Sequence, residues 1–307
     1  MLIVRDVDKM APAQRPVLAL GNFDGVHLGH QAILRAAVER ARACSAPALA
    51  LTFEPAPARV LTPARAPCRL CNAEDKLELF ERCGLDGAIV LEFTRALSLL
   101  APAEFARRYL AAKIGAQIVV VGHNVSFGHN RAGDAAALRE LGRALGFETV
   151  VVGPVKAGTL EVSSTLIRRF VQSGEVRRAR ELLGRNYFIR GTVVRGRGRG
   201  RLLGFPTINL ELESECVPAD GIYATLAGFN GSHYPSVTSI GFRPTFNETE
   251  RAVEAHLIDF SDLLYGRRIK LEFVERLREE RKFDSPQALA ERMRLDVEQA
   301  RAVLAAL

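Results

Sequence analysis

The chain changes its hydrophobic rhythm part-way along, and that change constrains its fold more than any other feature. Up to about Gly153, short apolar runs alternate with amphipathic stretches. Val17–Leu20, Leu49–Phe53, Ala88–Leu91, Ile118–Val121 and Val150–Val152 are short apolar runs, with Thr52 the one polar residue among them, and read as strands buried on both faces. Between them, His30–Cys44, Glu74–Cys83, Pro102–Ala112 and Ala135–Leu145 carry apolar residues at helical spacing. Strands alternating with helices imply right-handed crossovers and an open parallel sheet, with a ligand beyond the carboxyl ends of its strands.

After Gly184 the runs shorten and are separated by Gly, Pro, Asn and Asp. Tyr187–Val194, Thr207–Leu210, Ile222–Phe229, Ser236–Gly241, Val253–Ile258 and Ile269–Phe273 predict a small antiparallel β-barrel. A closing helix starts at Ser285 as N-cap with Pro286 at its first position, and Leu289, Met293, Val297 and Val303 supply its apolar face. The fold class is therefore α/β followed by β. The expected domains are residues 1–184 and 185–307, with the linker near Gly184–Asn186, and a length of 307 residues accommodates both.

The formal charge of +7 raises nucleic acid as a partner. Its distribution argues otherwise: 24 Lys and Arg stand against 18 Asp and Glu up to Gly184, but only 18 against 17 after it, where the Arg195–Arg201 run RGRGRGR lies. The five cysteines are odd in number and scattered, as reduced thiols are. Cys68 and Cys71 form a CxxC, yet a zinc site needs two more ligands at compatible spacing and none follows nearby. The start MLIVRDVDKM has neither the basic nor the apolar part of a secretory signal, and no stretch of about 18 apolar residues occurs. A cytoplasmic protein without membrane or nucleic-acid partners is expected.

The segment Gly21-Asn-Phe-Asp-Gly-Val-His-Leu-Gly-His30 leaves the first apolar run, turns on glycines and opens a helix. Backbone N–H groups at a helix start suit a phosphate, and two histidines at HxxH spacing can stabilise charge on its oxygens. The same pair can also ligate zinc, but no third ligand or HExxH glutamate accompanies it. Val162-Ser-Ser-Thr-Leu-Ile-Arg168 opens a second helix. Ser163 or Ser164 can cap it, and Arg168 lies one turn beyond Ser164 and Thr165, so hydroxyls, N–H groups and a guanidinium can converge on one anion.

In order, GNFDGVHLGHQ, TFEPAPARVL, VVGHNVSFGHNRAGD and EVSSTLIR resemble the adenylyltransferase half of prokaryotic bifunctional riboflavin kinase/FAD synthetases. The resemblance implies a Rossmann-like nucleotidyltransferase domain that adenylylates FMN. It implies that Gly21, Asn22, His27, Gly29, His30, Ser164, Thr165 and Arg168 handle ATP phosphates and that Asn124 helps hold flavin and nucleotide. Two positions depart from the family pattern: Ala56 replaces the histidine of FEPHP, and Leu166 replaces the middle arginine of SSTRIR.

In the second half, Gly191–Asn209 is a glycine-rich loop running into a strand. It is no Walker A motif, because no Gly-Lys-Ser/Thr follows, and Gly196, Gly198 and Gly200 do not fit GxGxxG. A solvated turn and an RNA-binding arginine-glycine segment are the other readings of the loop alone. Thr207 and Asn209 share a strand face, where their oxygens can hold Mg²⁺ between phosphates. Glu254 and His256 share another, and His256 is read as part of an exposed strand face.

GxxxGRxLGFPTxN, DGIYA, IGxRPTF, ExHLxDF and the late LYGxxI closely resemble riboflavin kinase. This implies that Glu254 is the general base toward the ribityl 5′-hydroxyl, that Gly196 and Gly200 belong to the ATP loop, and that Thr207 and Asn209 bind ATP and Mg²⁺. The substrates and products implied are riboflavin, FMN, FAD and ATP. The competing classes are a basic RNA-binding protein and an electron-transfer flavoprotein that consumes no ATP.

Overall fold

Six strands form one parallel sheet: β1 (Leu2–Val4), β2 (Val17–Leu20), β3 (Ala48–Glu54), β4 (Gly87–Glu92), β5 (Ile118–Gly122) and β6 (Glu148–Val152). Their spatial order is β1-β4-β3-β2-β5-β6. The computed structural model describes residues 1–9, 15–196, 199–244 and 249–307. Gly198 of the Arg-Gly run and Thr245 and Phe246 of the IGxRPTF run lie outside them. The chain divides into two compact units, Met1–Pro67 with Asn72–Ser163, and Cys68–Cys71 with Ser164–Leu307.

In the first unit, alternation along β2 feeds two cores. Val17 and Ala19 join Leu34, Ala37 and Phe80 on one face, and Leu18 and Leu20 join Phe105, Leu110 and Leu138 on the other. Helices α1 (Leu28–Ala43), α2 (Pro57–Leu61), α3 (Ala73–Arg82), α4 (Arg95–Ser98), α5 (Pro102–Phe105) and α6 (Ala135–Leu145) lie between the strands in sequence. The single helix expected over Pro102–Ala112 instead widens into a π-helix at Ala106–Lys113. Sequence reading also missed β1, because a three-residue edge strand with exposed Leu2 and Ile3 carries no readable period. A small hairpin of β7 (Lys156–Ala157) and β8 (Leu160–Glu161) follows β6.

Strand β2 is flanked by β3 and β5, so the chain winds outward from it in both directions. The loops after β2 and β5 therefore flank the sheet's topological switch point, where open α/β sheets bind ligands. The first carries Gly21–His30 and the second Asn124.

The second unit begins with α7 (Ser164–Gln172) and α8 (Val176–Leu183), then β9 (Tyr187–Val194), α9 (Arg199–Leu202), β10 (Ile208–Leu212), β11 (Gly221–Phe229), β12 (Ser232–Pro244), β13 (Thr249–Leu257), β14 (Arg268–Arg278) and α10 (Pro286–Ala305). The six strands close into an antiparallel barrel in the order β10-β13-β12-β11-β14-β9. Helix α8 buries Val176, Ala179, Leu182 and Leu183 and packs on β9 and β14, so in packing these helices go with the barrel. Ser285 caps α10 by accepting from the Ala288 N–H at 3.2 Å. Val297 and Val303 of its expected apolar face pack around Ala300, but the most buried polar group on the helix is Asp296.

Asp296 is 2 % exposed and receives Arg278 of β14 at 2.7 Å and Arg292 at 3.0 Å. Removing the carboxylate strands two partly buried guanidinium groups, so Asp296→Ala is expected to cost about 3–5 kcal/mol in unfolding free energy, read by urea denaturation. Glu272, on β14, is held below the ordinary carboxylate range: burial alone pushes it up, but the Lys270 ammonium at 2.8 Å and the His233 imidazole outweigh that. A depressed carboxyl contributes stability that is present above its unfolded value and lost as pH falls through its folded one. The stability gap between the parent and Glu272→Gln should therefore be widest near neutral pH and close in acid, measured by melting across pH.

Candidate active sites

The loop after β2 is held in an unusual backbone shape. Phe23 and Val26 adopt left-handed φ values of 51° and 39°. Phe23 pays for this by burial, meeting Phe80 and His30 edge-on with ring centroids 5.4 and 5.3 Å away. From below, Thr52 donates to the Asn22 carbonyl at 3.1 Å, and the buried Lys76 ammonium donates to Thr52 at 3.4 Å. Sequence reading singled out neither residue: Lys76 lies outside the motifs, Thr52 opens TFEPAPARVL without a role of its own, and only the fold brings them under the loop.

Helix α1 starts at Leu28, two residues earlier than expected, because His27 is its N-cap. Its Nδ1 accepts the His30 N–H at 3.2 Å, so one of the N–H groups expected to face a phosphate is satisfied within the loop. That bond leaves Nε2 as the protonated nitrogen of neutral His27 and directs its donor away from the helix. The His27 and His30 rings stack at 3.6 Å, and Gly29 makes room, since a Cβ there would press on the His27 ring at 3.2 Å. Gly21 lies against the Phe23 ring in the same way. Asn124, after β5, is exposed, with its side-chain oxygen near the Cα side of Gly122.

Ser164, Thr165 and Arg168 belong to the second unit. Helix α7 begins at Ser164, with Ser163 just before it, and Arg168 follows one turn later. The Arg168 Nε donates to the Cys68 carbonyl at 2.8 Å, which fixes the guanidinium plane. Ala56 stands at the N-cap of α2 and makes no side-chain cap bond.

In the barrel, ladder register assembles the site. Asn209 of β10 and Ser239 of β12 stand opposite Glu254 of β13 on its two sides. Thr207 lies one residue ahead of β10 rather than within it, yet its hydroxyl donates to Glu254 Oε2 at 3.1 Å. A Cβ on Gly196 would run into the Asn209 amide, and one on Gly200 into the Phe205 carbonyl, so both glycines permit the loop to close on this strand. Gly241 does the same for Glu280, whose carboxylate lies against it. Burial, with the charges of Asp220 and Glu254, pushes Glu280 above the ordinary carboxylate range against the pull of Arg278. Sequence reading missed Glu280, which lies far from the motifs in the chain. His256 is also more than an exposed face: it is half-buried, with Nδ1 2.8 Å from the Pro206 carbonyl.

The FAD synthetase family model matches residues 9–166, and the riboflavin kinase family model matches residues 183–304. The chain is 38% identical to the bifunctional riboflavin kinase/FMN adenylyltransferase of Pseudomonas fluorescens, over 99% of this chain and 98% of that one. The chain belongs to the bifunctional riboflavin kinase/FMN adenylyltransferase family. The Escherichia coli strain K12 member is 33% identical over 93% of this chain and 92% of its own. Among solved structures, one described as a macrolide-efflux protein from Streptococcus pneumoniae matches with a TM-score of 0.89 and 30% identity, covering 98% of each chain. Among the described residues here, no helix is long and apolar enough to cross a membrane.

Proposed function

We propose that this chain makes FMN from riboflavin and ATP in its barrel, and FAD from FMN and a second ATP in its parallel-sheet domain. The observation that carries the kinase reading is Glu254 facing Asn209 across the ladder with Thr207 bonded to it. The functional division is proposed at 1–184 and 185–307, with the α7 motif belonging to the adenylyltransferase by chemistry although it packs with the barrel. The same reading places the chain in the cytoplasm, where its five cysteines persist as thiols.

For FMN formation, Glu254 takes the proton of the ribityl 5′-hydroxyl as that oxygen attacks the γ-phosphorus. The new oxygen–phosphorus bond forms, the bond to the bridging oxygen breaks, and ADP leaves. Thr207 steadies the carboxylate. A hydroxyl that donates to a carboxylate keeps its lone pairs turned elsewhere, and with the Asn209 amide it offers the hard oxygen donors that Mg²⁺ prefers. Thr207 and Asn209 would hold the cation. When bound, it neutralises charge on the ATP phosphates. Gly196 and Gly200 bring the loop backbone close to the nucleotide.

FAD formation needs no comparable base, because the FMN phosphate is already an anion when it attacks the α-phosphorus of ATP and expels pyrophosphate. Its demand is electrostatic. His27, through Nε2, and the stacked His30 donate to oxygens that gain charge in the transition state. Gly21, Asn22 and Gly29 shape the loop around them, Ser164, Thr165 and Arg168 bind ATP phosphates, and Asn124 holds flavin and nucleotide.

The two half-reactions should therefore fail separately. Glu254→Gln is expected to slow FMN formation by about 10²–10⁴-fold while leaving FAD formation from supplied FMN near the parental rate. His30→Ala should do the reverse, slowing adenylylation by about 10²–10³-fold. Chromatography of both half-reactions on each folded variant checks this, and a variant that loses both activities would reject independent sites.

A further inference from the structure

We infer that His256 is a positioning residue of the kinase site, holding Thr207 in place through the peptide that precedes it. This rests on the kinase reading of the barrel. The contact that carries it is the 2.8 Å approach of His256 Nδ1 to the Pro206 carbonyl oxygen. A carbonyl only accepts, so Nδ1 carries the hydrogen and donates it. The Pro206 carbonyl lies in the same rigid peptide plane as the nitrogen and Cα of Thr207. A bond to that oxygen therefore sets where Thr207 starts.

Thr207 needs such a hold, because it stands outside the ladder that begins at Ile208. Two further contacts shape the same segment: Phe205 N–H donates to the Gly200 carbonyl at 2.8 Å, and the Phe205 ring meets the His256 ring edge-on at 5.4 Å. His256 lies two residues from Glu254 on one strand and so on the same face. One short stretch of β13 thus supplies both the carboxylate that Thr207 bonds and the imidazole that holds its peptide. The chain direction matters here: β13 fixes the relative placement of Glu254 and Thr207 from two points, as a hinge with two pins.

The test separates the hydrogen bond from the ring. His256→Phe keeps an aromatic ring against Phe205 and removes the donor, whereas His256→Asn places an amide N–H near the position of Nδ1. FMN formation is measured on the full chain against Mg²⁺ concentration, with FAD formation from supplied FMN and thermal melting on the same samples. His256→Phe should lower kcat for FMN formation about tenfold or more and raise the half-saturating Mg²⁺ several-fold, since a small misplacement of a ligating group is costly. His256→Asn should stay within about threefold of the parent in both, and FAD formation should not change in either. Should His256→Phe fail to fold, His256→Leu is compared with His256→Asn on the same measurements. Parental kcat and Mg²⁺ requirement in the donor-less variant, or equal impairment of His256→Asn, would overturn the inference. Parental FMN formation, and its loss in Glu254→Gln, keep that failure distinct from failure of the kinase reading itself.

Discussion

Strand β10 has to satisfy its backbone N–H and C=O groups on both edges, and it does so by pairing with β9 on one side and β13 on the other. That double pairing closes the barrel. It also places the proposed kinase residues, because the register with β13 sets Asn209 opposite Glu254. A slip of one residue would turn Glu254 to the other face and away from Asn209 and Thr207. The glycines of the preceding loop serve the same closure, since side chains at Gly196 or Gly200 would collide with Asn209 or Phe205.

The parallel-sheet unit solves a different problem. Its loop after β2 must leave a strand that is buried on both faces and enter a helix within a few residues, which drives Phe23 and Val26 into left-handed backbone. Burial of Phe23 compensates, and the cap by His27 turns one imidazole back over the helix start. The two sites thus differ as their reactions do. A neutral alcohol needs a base, the part proposed for the barrel carboxylate, whereas attack by a phosphate needs donors, the part proposed for the stacked imidazoles.

Much of this was legible in the sequence where pattern and chemistry coincide. The short apolar runs of the first half became β2 to β6, and the runs after Gly184 became barrel strands, because burial on two faces or one leaves its period in the residues. The Gly21–His30 motif was readable as a loop entering a helix, but its cap was not, since histidine is a rare N-cap and the reading began the helix at His30. Thr207 was placed inside a strand that starts one residue later. His256 is legible as sharing a strand face with Glu254 but not as bonded to the Pro206 carbonyl, and the contacts of Lys76, Thr52 and Glu280 are not legible at all, for a common reason. Each contact reaches a residue distant in sequence, and nothing at its own position signals it.

One chain performs two different phosphorus chemistries in succession, phosphorylating riboflavin and adenylylating FMN. The most direct measurement is a product balance, in which the purified chain is given riboflavin and Mg·ATP and every product is quantified over time. FMN should appear first and FAD after it, with one ADP and one pyrophosphate released for each FAD formed. FMN and ADP accumulating without FAD or pyrophosphate, or flavin bound with no ATP consumed, would contradict it.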